Sequence, residues 1–278
     1  MFKVNYAYSG RSVNHDTVHA YASRLGARVS VDEIIASEEK YKDFSSALQL
    51  YNTLNDCTDT YIEKDIKVAL DVMSGAIRLF GPEYIFSSYN GGKDAAIIMH
   101  LFRATMAKHN FDHRTSHRPK FVYFSQPDEF TEVLHEIETA EMDYSLDIFK
   151  YENISITKGL EYHIKDMTND SRPVAFVLGT RKGDPNCGEQ EHFTPSSPWM
   201  PSFMRVNPIL HWDYGKVWYF LRKFNLSYCC LYDNGYTSLG KTTDTIRNPA
   251  LLLSNGEYSP AYMLADFALE RAGRKKNI

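Results

Sequence analysis

Cysteine is scarce in this chain of 278 residues, and none of it is patterned. Cys57, Cys187, Cys229 and Cys230 form no C-x-x-C pair. Neither a structural zinc site nor a disulfide framework is therefore expected, and a reducing compartment is the default. No apolar run approaches the roughly 20 residues that would span a bilayer. Positive charge is not in excess either. The 31 Lys and Arg stand against 35 Asp and Glu, a formal net charge of -4, which argues against a general nucleic-acid binder. Internal repeats, low-complexity tracts and the G-x-G-x-x-G fingerprint of dinucleotide-binding folds are all missing.

What remains is the composition of a soluble globular protein, with 43% hydrophobic and 24% charged residues, long enough for one large domain or two small ones. Tyr (19) and Phe (16) are plentiful, which suits both core packing and clefts for flat ligands. The first 30 residues carry Lys3, Arg11, Arg24 and Arg28 against one acid, Asp16. They lack a strong amphipathic pattern, so the cytoplasm is the expected location, with mitochondria the alternative.

The most informative stretch is residues 84–108. A short apolar run leads into Ser88-Tyr89-Asn90-Gly91-Gly92-Lys93-Asp94, and Ile97, Ile98, Leu101, Phe102 and Thr105 then recur at helical spacing. A strand that ends in a glycine turn and opens a helix is a place to hold phosphate. Glycine lets the backbone approach an anion, and the unpaired amides of the first helical turn point at it. Lys93 adds a cation and Asp94 a carboxylate able to meet a metal. The loop is not an ordinary P-loop, because its lysine follows two adjacent glycines directly. Two glycines between strand and helix also occur as a plain tight turn.

Further along, the pattern alternates. An apolar stripe of Ile62, Ile66, Ala69, Leu70, Met73 and Ile77 predicts a helix over about 60–79, ended by Gly81-Pro82. Strands are expected at 84–88, 120–124, 146–150 and 173–178. Helices are expected at 94–108, 128–142, 155–167, 213–223 and 261–272, and short ones between about 30 and 55. A polar His-rich loop is expected at 109–119, and a loop-rich stretch at 179–210. Strand–helix–strand units of this length imply an α/β fold, a mainly parallel sheet with helices on both faces, plus a loop-rich C-terminal segment. The expected organisation is an N-terminal extension or helical cap at 1–60 and a catalytic domain at 61–278. Ligands of such sheets bind beyond the carboxyl ends of the strands.

A second constellation, Gly179-Thr180-Arg181-Lys182-Gly183-Asp184-Pro185, follows the strand expected at 173–178. It should face the same cleft. Arg181 and Lys182 would counter phosphate charge. Asp184 fits a divalent cation or the cap of a turn, since Asp-Pro favours turns. Trp199, Met204, Trp212, Tyr232 and Tyr236 are candidates to shape a flat slot, though each taken singly reads as core. Thr237, Ser238 and Gly240 read as a turn offering hydroxyls and amides, and Arg205 as a ligand contact or a structural arginine. Arg271, Arg274, Lys275 and Lys276 read as helix-end cations or a solvated tail.

The SYNGGKD loop resembles the pyrophosphate loop of the ATP pyrophosphatase and phosphoadenylyl sulfate reductase-like superfamily, whose fold is adenine nucleotide alpha hydrolase-like. Together with GTRKGDP, PSSPWMPSFMRVNP, LYDNGYTSLG, RNPAL and LERAGR, the chain resembles the eukaryotic FAD synthetase family. The likeness runs over roughly residues 81–275 and leaves 1–60 uncovered. Ala95 and His211 depart from it. The resemblance implies transfer of AMP from ATP to the phosphate of FMN with Mg²⁺, giving FAD and pyrophosphate, and client apo-flavoproteins as partners. It assigns Asn90, Lys93, Asp94, Arg181, Asp184, Arg271 and Arg274 to catalysis, and Asp94 and Asp184 to the metal. It assigns Ser88, Tyr89, Asn90, Gly91, Gly92, Lys93, Asp94, Gly179, Thr180, Arg181, Asp184, Trp199, Arg205, Tyr232, Tyr236, Thr237, Ser238, Arg271 and Arg274 to ligand binding. No nucleic acid and no membrane are expected. The alternatives are a non-catalytic flavin or nucleotide binder, or another superfamily member that cleaves ATP at the α-phosphate. Sulfonucleotide reduction and tRNA thiolation are disfavoured for want of a suitably placed cysteine.

Overall fold

The computed structural model describes residues 42–168, 172–185 and 187–275. The sheet and the site lie in the compact unit Ser46–Ile278. Of the short helices expected between about 30 and 55, the part before residue 42 lies outside the described residues. Helix α1 (Lys42–Asn55) lends Leu50 and Leu54 to the core.

Helix α2 (Glu63–Phe80) buries the predicted stripe, from Ile66 to Ile77, and keeps Glu63 and Asp65 in its first turn, where they complement the helix dipole. Strand β1 (Ile85–Ser88) then feeds helix α3 (Lys93–His113). Strand β2 (Lys120–Phe124), helix α4 (Thr131–Asp143), strand β3 (Asp147–Tyr151), helix α5 (Ile156–Met167) and strand β4 (Ala175–Val177) follow. Helix α6 (Tyr214–Lys223) comes later, capped by Asp213, whose carboxylate accepts from the Lys216 amide at 2.8 Å.

The sheet order is β3-β2-β1-β4, continued by two strands not foreseen in the loop-rich stretch. These are β5 (Phe193–Pro195) and β6 (Met204–Val206). Strand β6 runs parallel to β4, and β5 closes the edge antiparallel to β6. Each is only three residues long, too short to show a period of two.

Alternation along the strands sorts the core into two layers. Ile85, Phe121, Tyr123, Ala175 and Val177 face the main core with α2, α3 and α6, while Phe86, Val122 and Phe176 face Leu160 of α5 and Phe203. Helices therefore cover both faces, as expected. Helix α3 is the central one, buried from Ala96 through Ala107 on nearly every side. Each fully enclosed Ile, Leu or Phe there contributes about 1.5–3 kcal/mol of burial.

Two expectations need correcting. Helix α3 does not stop near Lys108 but runs to His113, so the predicted loop is shorter. Asn110 then organises that loop, donating to the His117 carbonyl at 2.7 Å and accepting from the His117 amide at 3.0 Å. The C-terminal helix over 261–272 is absent. Short 3₁₀ turns at Ala261–Met263 and Phe267–Leu269 replace it. Asp266 caps the second turn through the Ala268 amide, and Asn248 captures the Leu269 carbonyl that a helix would have used.

Buried His163 sits under Phe86 and Phe149 beside the Tyr151 hydroxyl. Burial, aided by nearby Lys120, pulls its pKa down to about 4. The unfolded chain takes up this proton near pH 6.5 and the folded chain does not, so stability falls as pH drops from 6.5 towards 4. The loss expected from His163 is about 3 kcal/mol by pH 4. Urea midpoints measured across that range should fall steeply in the native chain and less steeply in His163→Phe.

Candidate active site

Strands β1 and β4 lie side by side in parallel register, with Ile85 opposite Ala175 and Ser87 opposite Val177. Their carboxyl ends open at the same edge, where the chain order reverses direction across the sheet. The two loops singled out by sequence start there.

The first loop is pinned before it turns. Tyr89 is fully buried, its amide donating to the Val122 carbonyl at 3.1 Å and its hydroxyl to Glu136 at 3.1 Å. Asn90 Oδ1 accepts from the Gly92 amide at 3.1 Å, drawing the turn tight. Gly91 has φ +68°, and a Cβ there would stand 3.1 Å from the Val133 side chain. Helix α3 begins at Lys93, whose amide donates to the Tyr232 hydroxyl at 2.8 Å. Only glycine allows the second loop to pass: a Cβ on Gly179 would meet the backbone carbonyl of Asp94 at 3.0 Å.

Five charged side chains converge where the loops meet. Lys93 Nζ lies 3.0 Å from Asp94 Oδ2 and 2.6 Å from Glu270 Oε1. Arg181 NH2 reaches Glu270 Oε1 at 2.6 Å and Asp184 Oδ1 at 3.3 Å. Asp184 also accepts from the Arg181 amide at 2.7 Å. Arg181 Nε stands 3.0 Å from Asp94 Oδ1, but the pair is not aligned as a hydrogen bond, and both atoms are buried without one. The cations are the deepest members, at 3% and 6% side-chain exposure against 16–30% for the three acids.

Burial by itself would pull the Lys93 ammonium down, but Asp94 and Glu270 outweigh it and hold it above its ordinary value. The same contest, with the same two acids winning, raises Arg181. Both stay charged. Burial pushes the Asp184 carboxyl up, with Arg181 pulling the other way. The rings of Tyr214 and Tyr232 flank Lys93 Nζ at 5.6 and 6.0 Å from their centroids, and both phenols are held neutral by burial.

Glu270 was not among the residues read as functional, although it stands inside LERAGR. Its carbonyl accepts from Thr237 Oγ1 at 2.6 Å, and Asn248 donates to Thr237 Oγ1 at 2.7 Å and to the Leu269 carbonyl at 2.8 Å. Thr237 and Asn248 are fully buried. They clamp the C-terminal turn over the site.

The family description phosphoadenosine phosphosulfate reductase domain matches residues 84–247, which contain both loops. A Schizosaccharomyces pombe protein named probable FAD synthase is 35% identical over 220 residues, covering 78% of this chain and 81% of that protein. The chain belongs to the FAD synthase family. A Caenorhabditis elegans protein of the same name is 32% identical over 224 residues, and this chain spans only 41% of its length. Among solved structures, Candida glabrata FMN adenylyltransferase with FMN and the ATP analogue AMPCPP superposes with a TM-score of 0.71, covering 84% of this chain and 99% of that one. At 22% identity that likeness speaks for the fold.

The other residues expected at the site of this FAD synthase family member are spread more widely. Ser88 and Thr180 are half-buried at the ends of β1 and β4. Tyr232 belongs to the core beneath the loop, packed edge-on against Trp218 and Tyr228. It supports the loop instead of walling a slot. Trp212 is likewise core, packed on Phe220. Tyr236 packs on Phe130, and Ser238 is half-buried in the following turn. Trp199 is 72% exposed. Arg205 is structural, tied to the Pro195 carbonyl at 2.7 Å and to Ser197 at 3.0 Å. Arg274 donates to the Leu239 carbonyl at 2.6 Å, pairs with Asp244 at 3.4 Å and packs on Gly240, which places it outside the cluster. Arg271 is exposed and enters none of the described ion pairs. Residues 235–242 do have the spacing G-x-x-x-x-G-K-T, but no helix opens after Gly240, so this is not a P-loop.

Gly91→Ala should lower stability by about 1–2 kcal/mol through its left-handed backbone. Gly179→Ala should also destabilise, by wedging Asp94 away. Gly183→Ala, with nothing within 4 Å of its Cβ, should stay within about 0.5 kcal/mol. Urea unfolding of the three variants checks the order.

Proposed function

We propose that this chain is an FMN adenylyltransferase, transferring AMP from ATP to the phosphate of FMN and releasing pyrophosphate. The observation that carries the reading is the buried pair Lys93 and Arg181 at the carboxyl ends of β1 and β4, in a chain that belongs to the FAD synthase family. Two cations kept charged by surrounding acids can trade those acids for phosphate oxygens.

The chemistry asks little else of the protein. An FMN phosphate is already anionic, so attack on the α-phosphorus needs no strong general base. Rate comes from positioning and from neutralising charge on the triphosphate. The close backbone approach allowed by Gly91 and Gly92, the N-terminal end of α3 and the Lys93 ammonium form the cradle for the leaving pyrophosphate. Arg181 holds a phosphate oxygen across the cleft.

The donor set suits Mg²⁺, which favours one or two carboxylates completed by phosphate oxygens. Asp94 Oδ1 is a buried oxygen with no hydrogen bond, and Asp184 approaches the same guanidinium. Asp94 and Asp184 would hold the ion. When bound, it neutralises charge shared between the phosphates. Among the described residues no cluster of three or more His, Cys, Asp or Glu could hold a metal alone.

Incubation with FMN, ATP and Mg²⁺ should yield FAD and pyrophosphate in equal amounts, read by flavin separation and a pyrophosphate assay. Lys93→Met should cut kcat/KM by about 100-fold or more. Absence of FAD from a folded chain that binds both substrates would reject the reading. The two C-terminal arginines should separate by role. Arg271→Ala, at an exposed residue, should lower kcat/KM by roughly tenfold without lowering Tm. Arg274→Ala should lower Tm, because it frees the Leu239 carbonyl and Asp244.

A further inference from the structure

Glu270 is the one member of the cluster for which the reaction has no evident use. Lys93 and Arg181 suit phosphate, and Asp94 and Asp184 suit a metal. Glu270 instead occupies both cations at once. A single oxygen, Oε1, lies 2.6 Å from Lys93 Nζ and 2.6 Å from Arg181 NH2. The contacts of those two cations with Asp94 and Asp184 are longer, at 3.0 to 3.3 Å. One oxygen bridging an ammonium and a guanidinium is the arrangement a phosphate oxygen would make.

We propose that Glu270 is an internal stand-in for phosphate, filling the anion position between Lys93 and Arg181 until the substrate's phosphate displaces it. The inference rests on the adenylyltransferase reading. Three observations support it. The cluster without substrate carries three carboxylates against two cations, so an incoming triphosphate meets net negative charge unless one acid withdraws. Asp94 and Asp184 are held by their own loops, Asp184 through the Arg181 amide at 2.7 Å, whereas Glu270 comes from a segment 177 residues beyond Lys93. The backbone at Glu270 is clamped by Thr237, and the carbonyl before it by Asn248, so the exchange needs only the side chain to rotate away.

Such a carboxylate would do two things. It keeps two buried cations in place and satisfied while the cleft is empty, and it competes with pyrophosphate after the transfer, which hastens release of that product. Both follow from the same cost: phosphate binding must break two short charged hydrogen bonds to Glu270.

The test is the affinity for inorganic pyrophosphate, by calorimetry with Mg²⁺ at fixed ionic strength, in the full chain and in Glu270→Gln. Loss of the competing charge should tighten binding by roughly tenfold or more. Pyrophosphate should also raise Tm more in the variant than in the native chain, and inhibit FAD formation at lower concentration. Equal or weaker binding by the folded variant would overturn the proposal and make Glu270 a positioning residue only. Should Glu270→Gln not fold, Glu270→Asp draws the carboxylate back by one methylene and should also tighten binding, by less; weaker binding would overturn the proposal. Formation of FAD by the native chain separates the two readings. If FAD forms and the variants bind pyrophosphate no tighter, the stand-in role alone fails. If neither FAD nor pyrophosphate binding is found, the adenylyltransferase reading fails and this inference with it.

Discussion

Two buried cations need anions wherever they sit, and in this chain that need ties distant segments together. Lys93 opens the helix after β1, Arg181 follows β4, and the acids that keep them charged come from those two loops and from the far C-terminal turn. Lys93 meets two of these acids and Arg181 all three, so each buried charge keeps a partner when one acid leaves. The cluster is therefore a structural joint and, in the proposed reading, a binding site through the same contacts. On the proposal that a phosphate-bearing ligand enters by substituting for an acid, the fold carries the electrostatics of the bound state before any substrate is there.

The sheet supplies the geometry for this joint. Parallel pairing of β1 with β2 on one side and β4 on the other brings two carboxyl ends to one edge. The near-complete burial of α3 fixes the direction in which its first turn points. Close passage of Gly179 over Asp94 sets the distance between the two loops. Tyr232 adds a further constraint by giving the Lys93 amide a buried partner.

Much of this was legible in the sequence because its signals are local. The run from Ile85 through Asp94 into the apolar face of α3 shows its strand, turn and helix in consecutive residues, and 120–124 appears as a strand with the bounds it has in the structure. The same holds for the arginine and aspartate of GTRKGDP. What escaped the sequence is not local. Strands β5 and β6 are too short to show a period and exist because β4 offers a free edge. The segment ADFALERAG reads as helix by propensity, yet Asn248 and Thr237 claim the Leu269 and Glu270 carbonyls and turn it aside. Arg274 reads as a phosphate ligand but is occupied by Leu239 and Asp244. Glu270 stands inside LERAGR, yet its role comes from contacts with Lys93 and Arg181, far away in the chain.

The central claim, that Lys93 and Arg181 form the phosphate site, is tested most directly by a crystal structure with FMN and a nonhydrolysable ATP analogue. The account predicts phosphate oxygens within hydrogen-bond distance of Lys93 Nζ and of the Arg181 guanidinium, the triphosphate lying along Gly91, Gly92 and the first turn of α3. A nucleotide bound elsewhere, with both cations still held by Asp94, Asp184 and Glu270, would contradict it.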